Sequence, residues 1–213
     1  MRVAQPEGLR GSLKWLQRAV EQRPDLLQSD AAPIRWLSPL RDDAFAEYRD
    51  EAFLERLGLG EHAPLLRAFW PARGPQWDAL GWSAEGPVLV EAKAHIGEFL
   101  TPPTKAGAES LRRIAESLAA VQADLGAAPG CDWTARFYQY ANRLAHLWWL
   151  HRIGVGGQLL FVSFLGDDDM GGPDEAATWQ AAFRVADYAL GLPARHALSR
   201  HIRHVTPHVG LID

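Results

Sequence analysis

Cysteine occurs once in the 213 residues, at Cys131, which excludes an internal disulfide framework and fits a reducing compartment. No motif surrounds that thiol to suggest catalysis. Long apolar runs are also missing: the longest, Leu159–Leu165, is broken by Ser163 and falls far short of the ~20 residues that span a bilayer. The opening MRVAQPEGLRGSLKW lacks the apolar core of a signal peptide, so the expectation is a soluble, cytoplasmic protein. Positive charge is not in excess. A formal net charge of −4 argues against nonspecific coating of nucleic acid, so any such contact must be local. Lysine is confined to positions 14, 93 and 105. The other basic residues are arginines, and with the abundant Ala, Gly and Pro they reflect genome composition as readily as phosphate binding.

What is present is the material of an ordinary folded chain, with 47% hydrophobic and 23% charged residues and enough length for one domain with a substantial core. The most informative stretch is Gln76–Ala94, QWDALGWSAEGPVLVEAKA. Runs at 76–82 and 87–93 flank a turn-forming Ser83-Ala84-Glu85-Gly86, which predicts a β-hairpin. That loop sets Trp82 opposite Pro87, Leu80 opposite Leu89 and Asp78 opposite Glu91. Opposed residues stand roughly 4.5–5.5 Å apart at Cβ, so two carboxylates there repel unless a cation compensates. Strand alternation puts Lys93 on the face of Glu91, while Val88, Val90 and Ala92 point into a core on the other side.

An acid on one strand and acid-x-lysine on the next, here Asp78 and Glu91-Ala92-Lys93, resembles the PD-(D/E)xK (restriction-endonuclease-like) nuclease superfamily. The proline is displaced: Pro75 is separated from the acid by Gln76-Trp77. The scarcity of lysine strengthens the match. The resemblance implies a metal-dependent phosphodiesterase acting on DNA. In it Asp78, Glu91 and the backbone carbonyl of Ala92 hold Mg²⁺ or Mn²⁺, and Lys93 completes the catalytic set with Asp78 and Glu91. Two rivals stay open. In one, the trio is a structural ion network in a catalytically inactive nuclease-fold module that binds a protein partner through its tryptophans. In the other, the same site hydrolyses a small phosphorylated molecule.

Along the chain, Ser12 reads as the N-cap of a helix over about 12–22 that ends before Pro24. Residues 23–43 carry three prolines, and Ile34–Leu37 is either a short strand or an extended connection. Phe45, Tyr48, Ala52 and Leu57 share one side of a second helix stopped by Gly58, and Glu47 or Glu51 on it is a candidate auxiliary acid. Pro64–Trp70 reads as a strand. After Lys93, a loop with Pro102-Pro103 forms one wall of a site, and His95 and Glu98 lie beside the cluster in sequence. A helix follows over about 107–126. The helix at 133–152 has a polar but barely charged stripe, Gln139, Asn142, Arg143 and His146, and the resemblance assigns Gln139 and Arg143 to the scissile phosphate. Gln158–Leu165 reads as a strand covered on both faces. Asp167–Asp169 reads as a solvated loop, and the four C-terminal histidines lack the partners of a zinc site.

These elements predict a single α/β domain over 1–213. Its restriction-endonuclease-like αβββαβ core spans about 44–165 and contains a mixed central sheet flanked by helices, with an N-terminal helix at about 12–22 and a C-terminal helix and edge strand over about 174–212. The oligomeric state is left open, a homodimer included.

Overall fold

The computed structural model describes residues 1–28 and 33–212; positions 29–32, within the stretch expected to be extended, and 213 lie outside it. The chain begins with a two-residue strand, β1 (Arg2–Val3), and then helix α1 (Gly11–Gln22). Strands β2 (Arg35–Ser38) and β3 (Glu47–Tyr48) lead to helices α2 (Glu51–Leu57) and α3 (Ala63–Phe69). The hairpin is β4 (Ala79–Ser83) and β5 (Gly86–Lys93). Helices α4 (Ile96–Phe99), α5 (Ala108–Leu125) and α6 (Tyr138–Arg152) follow, then strand β6 (Gln158–Ser163), helix α7 (Ala176–Ala189) and strand β7 (Ile202–Val205).

The result is a mixed α/β architecture around a five-stranded sheet of order β2-β4-β5-β6-β7. The first three strands are antiparallel neighbours, and β5, β6 and β7 run parallel. Strand β1 pairs with β3 in a separate ribbon. The two sheet faces are dressed differently. Val88, Val90 and Ala92 pack with Trp15, Leu16, Ala19 and Val20 of α1, whereas Leu80 and Leu89 face the core built by α2, α3, α5, α6 and α7. Side chains alternate along β5, so its second face must carry Glu91 and Lys93 beneath the α6 layer. No helix among the described residues is long and apolar enough to cross a membrane.

Four local expectations are corrected. Residues 64–70 form helix α3 rather than a strand, with Pro64 in its first turn, where a missing N–H costs nothing. Leu66 is buried while Leu65 is exposed, the one-sided burial of a surface helix. The outer strand of the antiparallel part is instead Arg35–Ser38, paired with β4 through a bulge. The helix expected to start near 44 begins only at Glu51, because Tyr48 is taken into pairing with Arg2 and Trp77, and Ala44, Phe45 and Asp50 have positive φ. Helix α6 begins at Tyr138, since Asp132 accepts from Thr134 in a turn and Trp133 plugs into the core, donating from Nε1 to the Leu190 carbonyl. At the C-terminus the edge strand is Ile202–Val205, and Val209–Leu211 is a 3-10 turn.

Candidate active site

The hairpin has the expected register, with Leu80 opposite Leu89, Trp82 opposite Pro87 and Ser83 opposite Gly86, so Ala84-Glu85 is the turn. The paired register ends at Ala79 opposite Val90, and Asp78, just before β4, donates its N–H to the Val90 carbonyl at 3.2 Å, beside Glu91. Asp78 Oδ2 accepts the Ala92 N–H at 2.7 Å, which ties the acid to the acid-x-lysine strand through its middle residue.

Glu91 is 2% exposed and is held by two cations. Lys93 Nζ donates to its Oε1, and Arg143 Nε, from α6, donates to Oε2 at 2.5 Å. Arg143 also donates to the Gln76 carbonyl at 2.8 Å and lies 4.7 Å over the Trp77 ring, so α6 is pinned to the two residues that lead into Asp78. Glu47 belongs to β3 rather than to a helix, and joins the group: its Oε2 accepts from Gln5 at 3.0 Å and from Gln76 at 2.5 Å.

Three carboxyls and two cations therefore share a small volume, and their protonation reflects it. Asp78 keeps a partly exposed edge, but protein atoms crowd it elsewhere. Burial first, then the charges of Glu91 and Glu47, push it well above the ordinary aspartate range against the pull of Lys93 and Arg143. Glu47 is raised by burial and by Glu91, although the Gln76 and Gln5 hydrogen bonds oppose this. Burial would also raise Glu91, but Arg143 and Lys93 outweigh it and hold that carboxyl below its usual value. Burial would lower Lys93, but Glu91 and Asp78 outweigh it and keep the ammonium charged.

Above this group lies an open cleft of about 510 Å³. Asp78, Glu47, Gln76 and Arg143 reach its floor, and Gln139 and Asn142 line its α6 wall. The Thr101–Lys105 loop makes the opposite wall, and Arg73–Pro75 closes one end. Tyr138 lines this space with Thr104 and Asn142, and burial raises its pKa. A second void of about 40 Å³ separates Asp78 and Glu47 from Ser12 and Leu13 in the first turn of α1.

Of the residues singled out in the sequence, Asp78, Glu91, Lys93, Ala92, Glu47, Gln139 and Arg143 come together. Glu51 does not: it pairs with Arg67 at the surface, away from the cleft. His95 and Glu98 pair with each other at 3.6 Å, and Glu98 accepts the Ala94 N–H. Asp167, expected to be solvated, turns inward and is 3% exposed. Gln5 and Tyr138 went unnoticed, and Gln76 and Asn142 were marked in the sequence without a site role; Gln5 carries no local signal at all.

Among the described residues, no three histidine, cysteine, aspartate or glutamate side chains converge to enclose an ion. Magnesium ordinarily keeps several waters and takes only one or two carboxylates. Asp78, with a partly exposed edge and Oδ1 outside the hydrogen bond to Ala92, meets that lower requirement, with Glu47 or Glu91 as a second donor. Comparison with protein-family models, curated proteins and solved structures finds no match to this chain.

Proposed function

We propose that the chain is a metal-dependent phosphodiesterase with a restriction-endonuclease-like core, acting on DNA at the cleft above Asp78. The observation that carries this reading is the crowding of Asp78, Glu91 and Glu47 around one lysine and one arginine at the carboxyl end of β5. Ligands of open sheets gather at that end of the strands. With all five groups ionised the cluster has one negative charge in excess, which a hard cation would offset.

Asp78, with Glu91 or Glu47 and the Ala92 carbonyl, would hold Mg²⁺ or Mn²⁺. The bound ion would acidify a water and polarise a phosphoryl oxygen. Lys93 has N–H donors beyond the one given to Glu91, and its role is to orient the attacking water and offset developing charge. Arg143 holds Glu91 in place, so its contribution is positional. Gln139, Lys105 and Arg73 stand around the cleft where a phosphodiester backbone would run.

A structural reading has one observation in its favour: both Glu91 oxygens are occupied and the side chain is almost inaccessible. On that reading the cluster is a buried ion network in an inactive interaction module. Calorimetric titration with Mg²⁺ and Mn²⁺, paired with plasmid and oligonucleotide cleavage, separates the two. Metal binding that vanishes in Asp78→Asn, together with metal-dependent cleavage, is the expected result. No heat and no cleavage would leave the structural network as the better account. Cleavage of small phosphodiesters alone would point to the low-molecular-weight substrate.

A further inference from the structure

Side-chain alternation along β6 puts Ser163 on the same sheet face as Phe161, at the carboxyl end of the strand and in register with Lys93 of β5. This is the end of the strands at which open sheets take their ligands. A cavity of about 380 Å³ opens there, between Ser163, the Trp179–Arg184 stretch of α7, and His204 and Thr206 at the end of β7. It shares no lining residue with the cleft above Asp78. Phe183, on its wall, packs 4.6 Å from Phe99 and 5.7 Å from Tyr140 and so closes the side toward α6.

Ser163 is 1% exposed, and its Oγ has no hydrogen-bond partner among the described residues. A buried hydroxyl left unpaired is costly, so one on the wall of a cavity points to a ligand atom. The other polar side chains are uncommitted as well: Gln180, Arg184 and Thr206 make no side-chain hydrogen bond or ion pair among the described residues. The Trp179 indole alone is spent, on the Phe164 carbonyl at 3.0 Å. His204 stacks on Phe161 at 5.3 Å and meets Phe183 edge-on at 4.3 Å, so its ring serves as a wall. In a chain of net charge −4, no carboxylate lines this cavity, and Arg184 is its one fixed charge.

We propose that this cavity binds a phosphate group, free or as the head of a small phosphomonoester, independently of what the cleft above Asp78 does. The Arg184 guanidinium supplies the countercharge and a fork of donors from α7. Ser163 Oγ from β6, the Thr206 hydroxyl beyond β7 and the Gln180 amide can each donate as well. Donors converging from three elements suit a tetrahedral oxyanion better than a planar carboxylate. Phe183 and His204 offer an aromatic wall to the carbon skeleton of a monoester.

The test is calorimetric. Protein kept metal-free with EDTA is titrated with inorganic phosphate, phenyl phosphate and acetate at constant ionic strength. Phosphate should saturate with a dissociation constant of about 1 mM or tighter, and acetate should bind at least about 10-fold more weakly. Arg184→Gln, at an exposed position, should weaken phosphate at least about 10-fold. Ser163→Ala, which removes the buried hydroxyl without adding bulk, should weaken it about 5-fold. Both variants should keep the parent's far-UV spectrum. Tighter binding of phenyl phosphate assigns the site to a monoester and equal binding assigns it to free phosphate; either upholds it. No saturation by tens of millimolar, acetate matching phosphate, or binding indifferent to both substitutions overturns it. Failure of the phosphodiesterase reading looks different, because metal binding and cleavage would be absent while phosphate binding persists.

Discussion

At Asp78, charge crowding sets up opposite effects of one substitution on stability and on metal binding. Its folded pKa lies above the unfolded value of 3.8, so the folded state holds this proton more tightly and stability falls as pH rises through that window. Asp78→Asn removes the penalty, so the metal-free variant should melt at or above the parent at pH 7 while losing any Mg²⁺-dependent gain, as a calorimetric melt can show. His146 behaves in the reverse sense. Burial holds its folded pKa at about 3, below the unfolded 6.5, so its contribution is full above pH 6.5 and is lost as pH falls toward 3. Within that interval the slope should approach about 1.4 kcal/mol per pH unit, one proton's worth. Denaturant melts at pH 4, 5 and 6 on the parent and His146→Phe check this; equal slopes would show that His146 is not the group responsible. Lys93→Ala should keep the metal-dependent shift in melting temperature, since an ammonium is no ligand, yet lose cleavage by ~10²–10⁴-fold.

Helix α6 reaches the site through Arg143, and the crossover into β6 depends on a glycine. Replacing Arg143 with Met leaves Glu91 buried with Lys93 alone and frees the Gln76 carbonyl, which should cost ~3–5 kcal/mol in denaturant unfolding. Arg143→Lys should restore only part, because one ammonium cannot serve Glu91 and Gln76 in the same fork. Gly157 stands at φ 116°, and a Cβ there would meet the Pro87 carbonyl oxygen at 2.6 Å. Gly157→Ala should therefore destabilise by ~1–3 kcal/mol. That loss would localise to the β5/β6 pairing in hydrogen exchange. The polar stripe on α6 was legible as polar but barely charged, a pattern that fits a site wall and a solvent face equally, and it serves two destinations. Gln139, Asn142 and Arg143 go to the cleft, whereas His146 goes to an adjoining cavity, because the approach of Trp70 and Gly74 to α6 divides the space.

For the whole molecule, an ion that binds only the native state should raise the melting temperature steadily with the logarithm of its concentration, and Asp78→Asn should flatten that dependence. A parent whose melting temperature ignores Mg²⁺ and Mn²⁺ from micromolar to tens of millimolar would favour the structural network. The sheet explains why so many distant segments converge. Its antiparallel half is stitched by the hairpin, its parallel half by crossovers through α5 and α6 and then α7, and the carboxyl end of β5 lies at their junction.

The sequence alone determined what depends on nearest neighbours and strict periodicity. The turn at 83–86 fixed the register of the hairpin, and period-two alternation put Asp78, Glu91 and Lys93 on one face. The α5 stripe, Gly58 and Gly126 likewise marked their helix ends, because a left-handed cap is a local event. Only tertiary structure decided where context outweighs propensity. Pro64–Trp70 is apolar enough for a strand, but the sheet edge was already occupied by Arg35–Ser38. Glu47 sits in a helical pattern, yet Tyr48 gains more by pairing with Arg2 and Trp77. Gln5 reaches Glu47 over 42 residues of chain, and no local pattern encodes a contact of that separation. Asp78, Glu91 and Lys93 were written in the hairpin, whereas Glu47 and Arg143, and the burial that sets the chemistry of all five, came from elements brought to it by the fold.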